Sequence, residues 1–386
     1  MSVNSLKKAL IRKKNDLRHF FNKLRYDYQA TTEKPVISRM KHVVIHRLDG
    51  KIGDAVCYAP FIRELKKAAP ESRITVLVTA NIQPVYEAVK EIDELKILPK
   101  KPSAKEIDSI AEEIGSCDLY IHLFEKLNGR DFRLINRLRP VWCATLDENV
   151  RLDNIGLYRY TESTSSARST EKSSKETLHF TELLFKILTV GGVDDSSIDR
   201  SYMKLFSEDL QSAPEKYPFL TGGSTGNRKG TVIFNPYGAS SSRRLSDEAV
   251  TAILKILREK TSMQIVLWIT PKERQAAEQL VGKSFSNDSG ISFPENLNSI
   301  RDVITAMASC KLMIGVDTGS AHVAACYSIP ELTFYSNNMA NYSRWYALSP
   351  VATNVILDNQ FFGDMSTEEL CRQVNLFLEK HSDIIS

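Results

Sequence analysis

Carboxylates, small hydroxyl residues and arginines recur at spacings that can do chemistry. One such stretch is Asp317-Thr318-Gly319-Ser320, inside "MIGVDTGSAHVAA" at 313–325. In isolation those letters match the surroundings of an aspartic protease's catalytic carboxylate. That chemistry needs two carboxylates sharing a proton, from two similar lobes or chains, and this chain has one Asp-Thr-Gly-Ser stretch. The other reading is a strand that ends at Val316 and runs into a helix. Asp317 and Thr318 would then stand at the carboxyl edge of a parallel sheet, where ligands bind. Gly319 permits close backbone approach. Ser320 and Ala321 would present helix-start amides to an anion, and His322 in that first turn could donate to a phosphate. A plain helix cap is the bland alternative.

A second stretch, "HRLDGKIGDAVCYAPFIREL", has the same form. Arg47 ends a strand, Lys51 and Gly53 lie in a glycine-bearing loop, and Asp54 opens a helix. The helix dipole stabilises a carboxylate at that position, which suits a general base; simple N-capping is again the alternative. The glycines do not form Gly-x-Gly-x-x-Gly, which argues against a dinucleotide site. Two further strand-to-helix junctions are "NPYGASSSRRLSDEA", with Ser240, Arg243 and Arg244, and "VLWITPKERQAAE", with Glu273. Arginine forks match phosphate oxygens, and an acid just past a strand can hold ribose hydroxyls. No Asp-x-Asp motif sits at a strand end, so no metal is expected.

The elements that would carry these residues alternate. "HVVIHRL", "RITVLVT", "ELKILP" and "DLYIHLF" read as strands, with helices at 54–69 and 82–91. The alternation restarts with "TVIFNPYG", the helix 246–260, "QIVLWIT", the helices 271–282 and 299–309, "KLMIGV", a helix from Ala321 and "ELTFYS". Continuous apolar strands between helices imply parallel sheets covered on both faces. The expected division is a basic extension 1–40, an N-terminal Rossmann-like domain 41–211, a Pro/Gly linker 212–230, a C-terminal Rossmann-like domain 231–365 and a terminal helix 366–386. The Ser/Thr-rich stretch 161–177 reads as a mobile loop.

At 386 residues the chain is long enough for two cored domains. Six scattered cysteines without a Cys-x-x-Cys fit a reducing cytosol. No apolar run is long enough to span a membrane, and no signal core is present. The net charge of +4 is uneven: residues 1–25 hold Lys7, Lys8, Arg12, Lys13, Lys14, Arg18, Lys23 and Arg25 against Asp16 alone. Leu6, Leu10, Leu17, Phe20, Phe21 and Leu24 interleave with them. Such a helix can lie on an anionic membrane surface or pack on its own domain. No motif for nucleic acid accompanies it.

The order "HRLDGKIGDAVCYAPFIRELKKAAP", "NPYGASSSRRLS", "WITPKE", "IGVDTGSAHVAACYSIPELTFY" resembles the lipopolysaccharide heptosyltransferases, glycosyltransferase family 9, over roughly residues 41–350. The resemblance implies an α/β GT-B fold, two Rossmann-like domains facing each other across a cleft, and an inverting, metal-independent sugar transfer without a cofactor. The implied donor is ADP-L-glycero-D-manno-heptose, and the implied acceptor is the lipid-linked lipopolysaccharide inner core. Asp54 then matches the proposed base. Ser240, Arg243, Glu273, Asp317, Thr318, Gly319, Ser320 and His322 fall on the donor side, and Arg47, Lys51 and Gly53 on the acceptor-side loop. Arg243 stands where the family commonly has lysine, and the first loop is one residue longer. The implied location is cytoplasmic, at the inner face of the cytoplasmic membrane. A sugar-nucleotide epimerase of the same architecture, or a binding protein without turnover, would use similar sites.

Overall fold

A computed structural model describes residues 3–157, 177–222, 230–238, 240–285 and 288–385. The Ser/Thr-rich stretch 161–177 lies, apart from Thr177, outside the described residues, as do 223–229 of the expected linker. The chain divides into two compact units. The first comprises Met1–Gly50, Tyr58–Glu176 and Thr181–Arg200; the second comprises Lys51–Cys57, Thr177–Phe180 and Ser201–Ser386.

The first unit begins with helix α1 (Val3–Tyr26), then β1 (His42–Arg47), α2 (Ile52–Ala68), β2 (Arg73–Val78), β3 (Glu94–Ile97), α3 (Ala104–Ile114), β4 (Leu119–His122), α4 (Gly129–Leu138), β5 (Trp142–Thr145) and α5 (Phe180–Val190). Its sheet has the order β3-β2-β1-β4-β5, with parallel pairing throughout. β1 and β4 are buried along their whole length, as strands covered on both faces must be. The helix expected at 82–91 is shorter, Gln83–Glu87. Ala88 caps it, and Asp93, just before β3, accepts from the Ile74 amide at 2.7 Å and from Lys66 at 2.9 Å.

The second unit holds β6 (Thr231–Asn235), α6 (Asp247–Lys260), β7 (Gln264–Leu267), α7 (Arg274–Ser284), β8 (Ile291–Ser292), α8 (Ile300–Ala308), β9 (Leu312–Val316), α9 (Gly319–Tyr327), β10 (Glu331–Tyr335), α10 (Met339–Trp345), β11 (Ala352–Ile356) and α11 (Thr367–Lys380). The sheet order is β11-β10-β9-β6-β7-β8, again parallel. Apolar residues of β6, β7 and β9 share one core with α6 and with Leu370, Val374, Phe377 and Leu378 of α11. The terminal helix therefore belongs to this unit's core.

The 212–230 stretch is not where the units divide, because its described part is pinned to the second unit. Tyr217 and Lys216 both donate to Asp302 Oδ1, at 2.6 and 2.7 Å, and Ser292 donates to the Phe219 carbonyl at 2.6 Å. Just before it, Arg301 grips Asp209 through Nε at 2.5 Å. Breaker residues mark where helices and strands stop; these polar anchors decide which core the loop belongs to.

Candidate active site

In each sheet the chain starts on an inner strand, winds outward, then crosses to the other side. The reversal lies between β1 and β4 in the first unit and between β6 and β9 in the second. Loops leaving the carboxyl ends of such neighbours diverge and leave a crevice for a ligand.

In the second unit Asn235 ends β6, opposite Gly315 of β9. With its amide oriented to satisfy both ends, its oxygen accepts from the hydroxyls of Thr318 (3.2 Å) and Ser320 (3.0 Å). Its nitrogen then donates to the carbonyls of Tyr237 (3.2 Å) and Trp268 (3.3 Å). One buried side chain thus fastens the loops after β6, β7 and β9. Thr318 is the N-cap of α9, yet its hydroxyl makes no cap bond and lies 2.6 Å from Ser320 Oγ. The helix begins at Gly319, two residues earlier than expected, and the Ala321 amide already bonds the Thr318 carbonyl at 3.2 Å. The amides at the helix start are therefore those of Gly319 and Ser320 rather than Ser320 and Ala321.

A pocket of about 800 Å³ opens there. Ser240, Glu273, Thr318, Gly319 and Ser320 line it, together with the apolar Ile52, Trp268, Met307 and Val323. Its size and its mix of apolar walls with a few polar groups suit a nucleotide-sized ligand. A second pocket of about 650 Å³ shares Ser240 and adds Arg243, Asp317, Asn337, Asn338, Asn341 and Gln360. Its lining is mostly amides and hydroxyls.

The expected charges are present, and they are paired with one another. Arg243 Nη1 donates to the Asp317 carbonyl at 3.2 Å and to its carboxylate at 3.3 Å, and Asn341 donates to the same carboxylate at 2.7 Å. Arg244 donates to Glu273 and lies over the Tyr237 ring at 4.0 Å. Glu273 also accepts from the Thr270 amide at 2.9 Å. Burial pushes the Glu273 carboxyl up, but the Thr270 amide and Arg244 outweigh it and hold it below the usual range.

Residues 51–57, the start of α2, group with this unit. Gly53 packs backbone to backbone against α9: a Cβ at Gly53 would lie 2.7 Å from His322 Cδ2 and 3.1 Å from the Gly319 Cα. His322 is buried, with Nδ1 3.8 Å from Cys57 Sγ and its ring edge-on to Trp345 at 6.3 Å. Burial holds its imidazole below the ordinary value, opposed by the charges of Asp54 and Asp317, so it is neutral at pH 7. Asp54 is half-buried in the first turn of α2. Lys51 is exposed, 5.9 Å from the Trp345 ring. Trp345 also stacks on Phe180 at 4.4 Å.

Arg47 has a different place. It is 1 % exposed in the first unit, donates to Asp49 at 2.8 Å and lies over the Tyr58 ring at 4.3 Å. It organises the loop after β1 from within, rather than standing exposed on that loop.

Sequence reasoning missed Asn235, Asn341, Trp345 and a crevice in the first unit. That crevice, about 240 Å³, lies at the β1/β4 reversal and is lined by His46, His122, Asp131, Lys100, Lys101, Lys126 and Arg130, among others. The rings of His46 and His122 lie 4.1 Å apart, and His122 Nε2 is 3.3 Å from Asp131 Oδ1. Asp131 also closes the capping box of α4 by accepting from the Asn128 amide at 2.8 Å. The ligand atoms of the three residues lie within 4.8 Å of one another, a set that could hold a metal ion. Four cationic side chains around the same space favour an anion instead.

Burial lowers the imidazoles of His46, His322 and His179, the last to about 4. The unfolded chain therefore binds protons near pH 6.5 that the folded chain refuses, and stability rises with pH across that window. The urea midpoint should fall steadily from pH 7 toward pH 4. A midpoint flat between pH 6.5 and pH 5 would show these rings to be hydrated.

Two parallel, doubly wound sheets, each with a crevice at its reversal point, make this a GT-B-type glycosyltransferase fold. Residues 195–373 match the model of glycosyltransferase family 9 (heptosyltransferase). By that match the chain carries a domain of this family and is a glycosyltransferase. Among solved structures it is similar to the glycosyl transferase family 9 from Veillonella parvula DSM 2008 (19 % identity, TM-score 0.66, 91 % of this chain and 100 % of that one). It is also similar to E. coli ADP-heptose LPS heptosyltransferase II (16 %, 0.64, 89 % and 100 %) and to E. coli heptosyltransferase WaaC with ADP (14 %, 0.59, 88 % and 99 %). At these identities the likeness is one of fold. No curated protein matches the chain by sequence.

Proposed function

We propose that this glycosyltransferase moves a heptose, or a closely related sugar, from an ADP-linked donor to the lipopolysaccharide inner core, with inversion and Asp54 as general base. The observation that carries the reading is the junction of two helix starts. Gly53 and Gly319 meet backbone to backbone; Ile52 just before them lines the donor pocket, and the charge of Asp54 just after bears on His322. The fold is shared with E. coli WaaC solved with ADP and with ADP-2-deoxy-2-fluoro heptose.

The nucleoside occupies the larger pocket, its base against Trp268 and Met307 and its ribose toward Glu273. The phosphates take the amides of Gly319 and Ser320, and the sugar extends into the amide-lined pocket past Asp317. Asp54 removes the acceptor hydroxyl's proton as that oxygen attacks the anomeric carbon. The bond from that carbon to the phosphate oxygen breaks, and charge builds on the departing ADP. Arg243, freed from Asp317, and the α9 amides stabilise that charge, so the reaction needs no metal. On the acceptor side, Lys100, Lys101, Lys126 and Arg130 suit an anionic group of the inner core. The reading carries with it a cytoplasmic protein held at the inner membrane.

A thermal-shift panel of ADP-, UDP-, GDP- and dTDP-sugars tests the donor, since a ligand at a hundredfold excess over Kd stabilises by about 2.7 kcal/mol. ADP-heptose should give the largest shift, and transfer should survive EDTA. A UDP-sugar preference would overturn the donor, and loss of transfer in EDTA would overturn the metal-free mechanism.

A further inference from the structure

Helix α1 faces the wrong way for a helix that serves only its own domain. Its inward side is mostly polar, with Tyr26 packed on the unit's core and the His19 ring against Phe132. His19 Nδ1 lies 3.1 Å from the Leu127 carbonyl, Asp16 pairs with Lys126 at 2.6 Å, and the Asn22 amide lies against Gly129. Its outward side is apolar: Leu10, Leu17, Phe20, Phe21 and Leu24 are 57–73 % exposed. At 3.6 residues per turn these five fall within an arc of about 100°. Lys14, Arg18 and Arg25 follow one edge of the arc, and Lys13 falls inside it, between Phe20 and Leu24 in projection.

Solvent-facing stripes of this kind mark an interaction surface. We infer that α1 docks on an anionic lipid bilayer, lying in its plane with the Leu10–Leu24 stripe in the headgroup–acyl boundary. The charge chooses the occupant. Arg12, Lys13, Lys14, Arg18, Lys23 and Arg25 accompany the stripe, and the acid Asp16 is paired with Lys126. Two copies meeting through this face would set like charge against like charge, whereas an anionic surface attracts it. No described helix is long and apolar enough to cross a membrane, so α1 lies on the bilayer.

The helix also bears on the first unit's crevice. Lys126, held by Asp16 of α1, lines that crevice, and so do Asn128 and Arg130 at the start of α4, on which α1 packs. Docking through α1 would set an anion-binding pocket close to the lipid surface and favour an acceptor still attached to lipid. This last step rests on the proposed transferase reading; the docking does not.

The test uses the full chain without donor or acceptor, floated with phosphatidylcholine vesicles containing or lacking phosphatidylglycerol. The protein should float with the phosphatidylglycerol vesicles and release in high salt. The triple variant Phe20→Ser/Phe21→Ser/Leu24→Ser should bind at least about tenfold more weakly. These side chains are exposed, so its circular dichroism and melting temperature should match wild type. No vesicle binding by the wild type, equal binding by the variant, or a wild-type dimer that the variant abolishes would each overturn the inference. A failure here leaves the donor-panel result untouched. If docking holds, the variant should lose transfer to a vesicle-borne acceptor while keeping transfer to a soluble, delipidated one; equal loss on both would refute the lipid-linked acceptor alone.

Discussion

Asp54→Asn should lower turnover by about 10²-fold or more while leaving the donor's thermal shift intact. Asparagine keeps the size and the capping capacity of the side chain and removes only its ability to take a proton. The competing bases near the pocket are worse placed. Asp317 is engaged by Arg243 and Asn341. Glu273 is engaged by Arg244 and Thr270. His322 is buried beneath Gly53, with Nδ1 toward Cys57. Asp54 is half-buried in the first turn of α2, next to the Gly53–Gly319 contact, and its charge bears on His322. Steady-state turnover and KM on the purified variant decide the matter: a fall in kcat with unchanged KM fits a proton-transfer role. Turnover close to wild type would remove Asp54 from the chemistry.

Gly53→Ala should be nearly as damaging, for a steric reason. The added methyl would lie 2.7 Å from His322 Cδ2 and 3.1 Å from the Gly319 Cα. The first distance is too short to keep, and His322 is packed with Cys57 and Trp345. The helix start must therefore move away from α9, carrying Asp54 with it. A displacement of about 1 Å at a reacting group can cost 10²-fold in rate, so a loss of that order is expected alongside a melting temperature lowered by only a few degrees. Gly282 in α7 is the control, since a methyl there meets nothing within 4 Å; Gly282→Ala should retain full activity. Full activity in Gly53→Ala would show that the close approach is no part of the working geometry.

Much of this was legible in the sequence. Apolar runs such as "KLMIGV" and "TVIFN" can only be strands buried on both faces, and the Asp317–Ser320 turn could be placed at a sheet edge before any coordinates. What escaped depends on which strands become neighbours. His46 is far in sequence from His122 and Asp131, and meets them because β1 pairs with β4. Asn235 reads as an ordinary loop-starting residue until Thr318 and Ser320 are brought to it by the β6–β9 pairing. Arg47 reads as a strand-end residue of the acceptor-side loop; its pairing with Asp49 two residues on and its burial over Tyr58 come only with the fold. The periodicity of α1 showed an amphipathic helix but not which face its domain would take. Composition marked 212–230 as a break, yet the anchors at Asp302 lie some 85 residues further on.

The adjacent arginines 243 and 244 reach to different strand ends, one to Asp317 after β9 and the other to Glu273 after β7. An unliganded pocket is thereby its own rival. A simple anion gains little, because the acids already satisfy the cations it would seek. On the proposed reading a donor must bring a new partner for one member of each pair, a diphosphate for Arg243 in place of Asp317 and a ribose diol for Glu273 in place of Arg244. Selectivity of that kind would act as a two-key lock, closed to phosphate or free sugar alone and open to the two joined in one molecule.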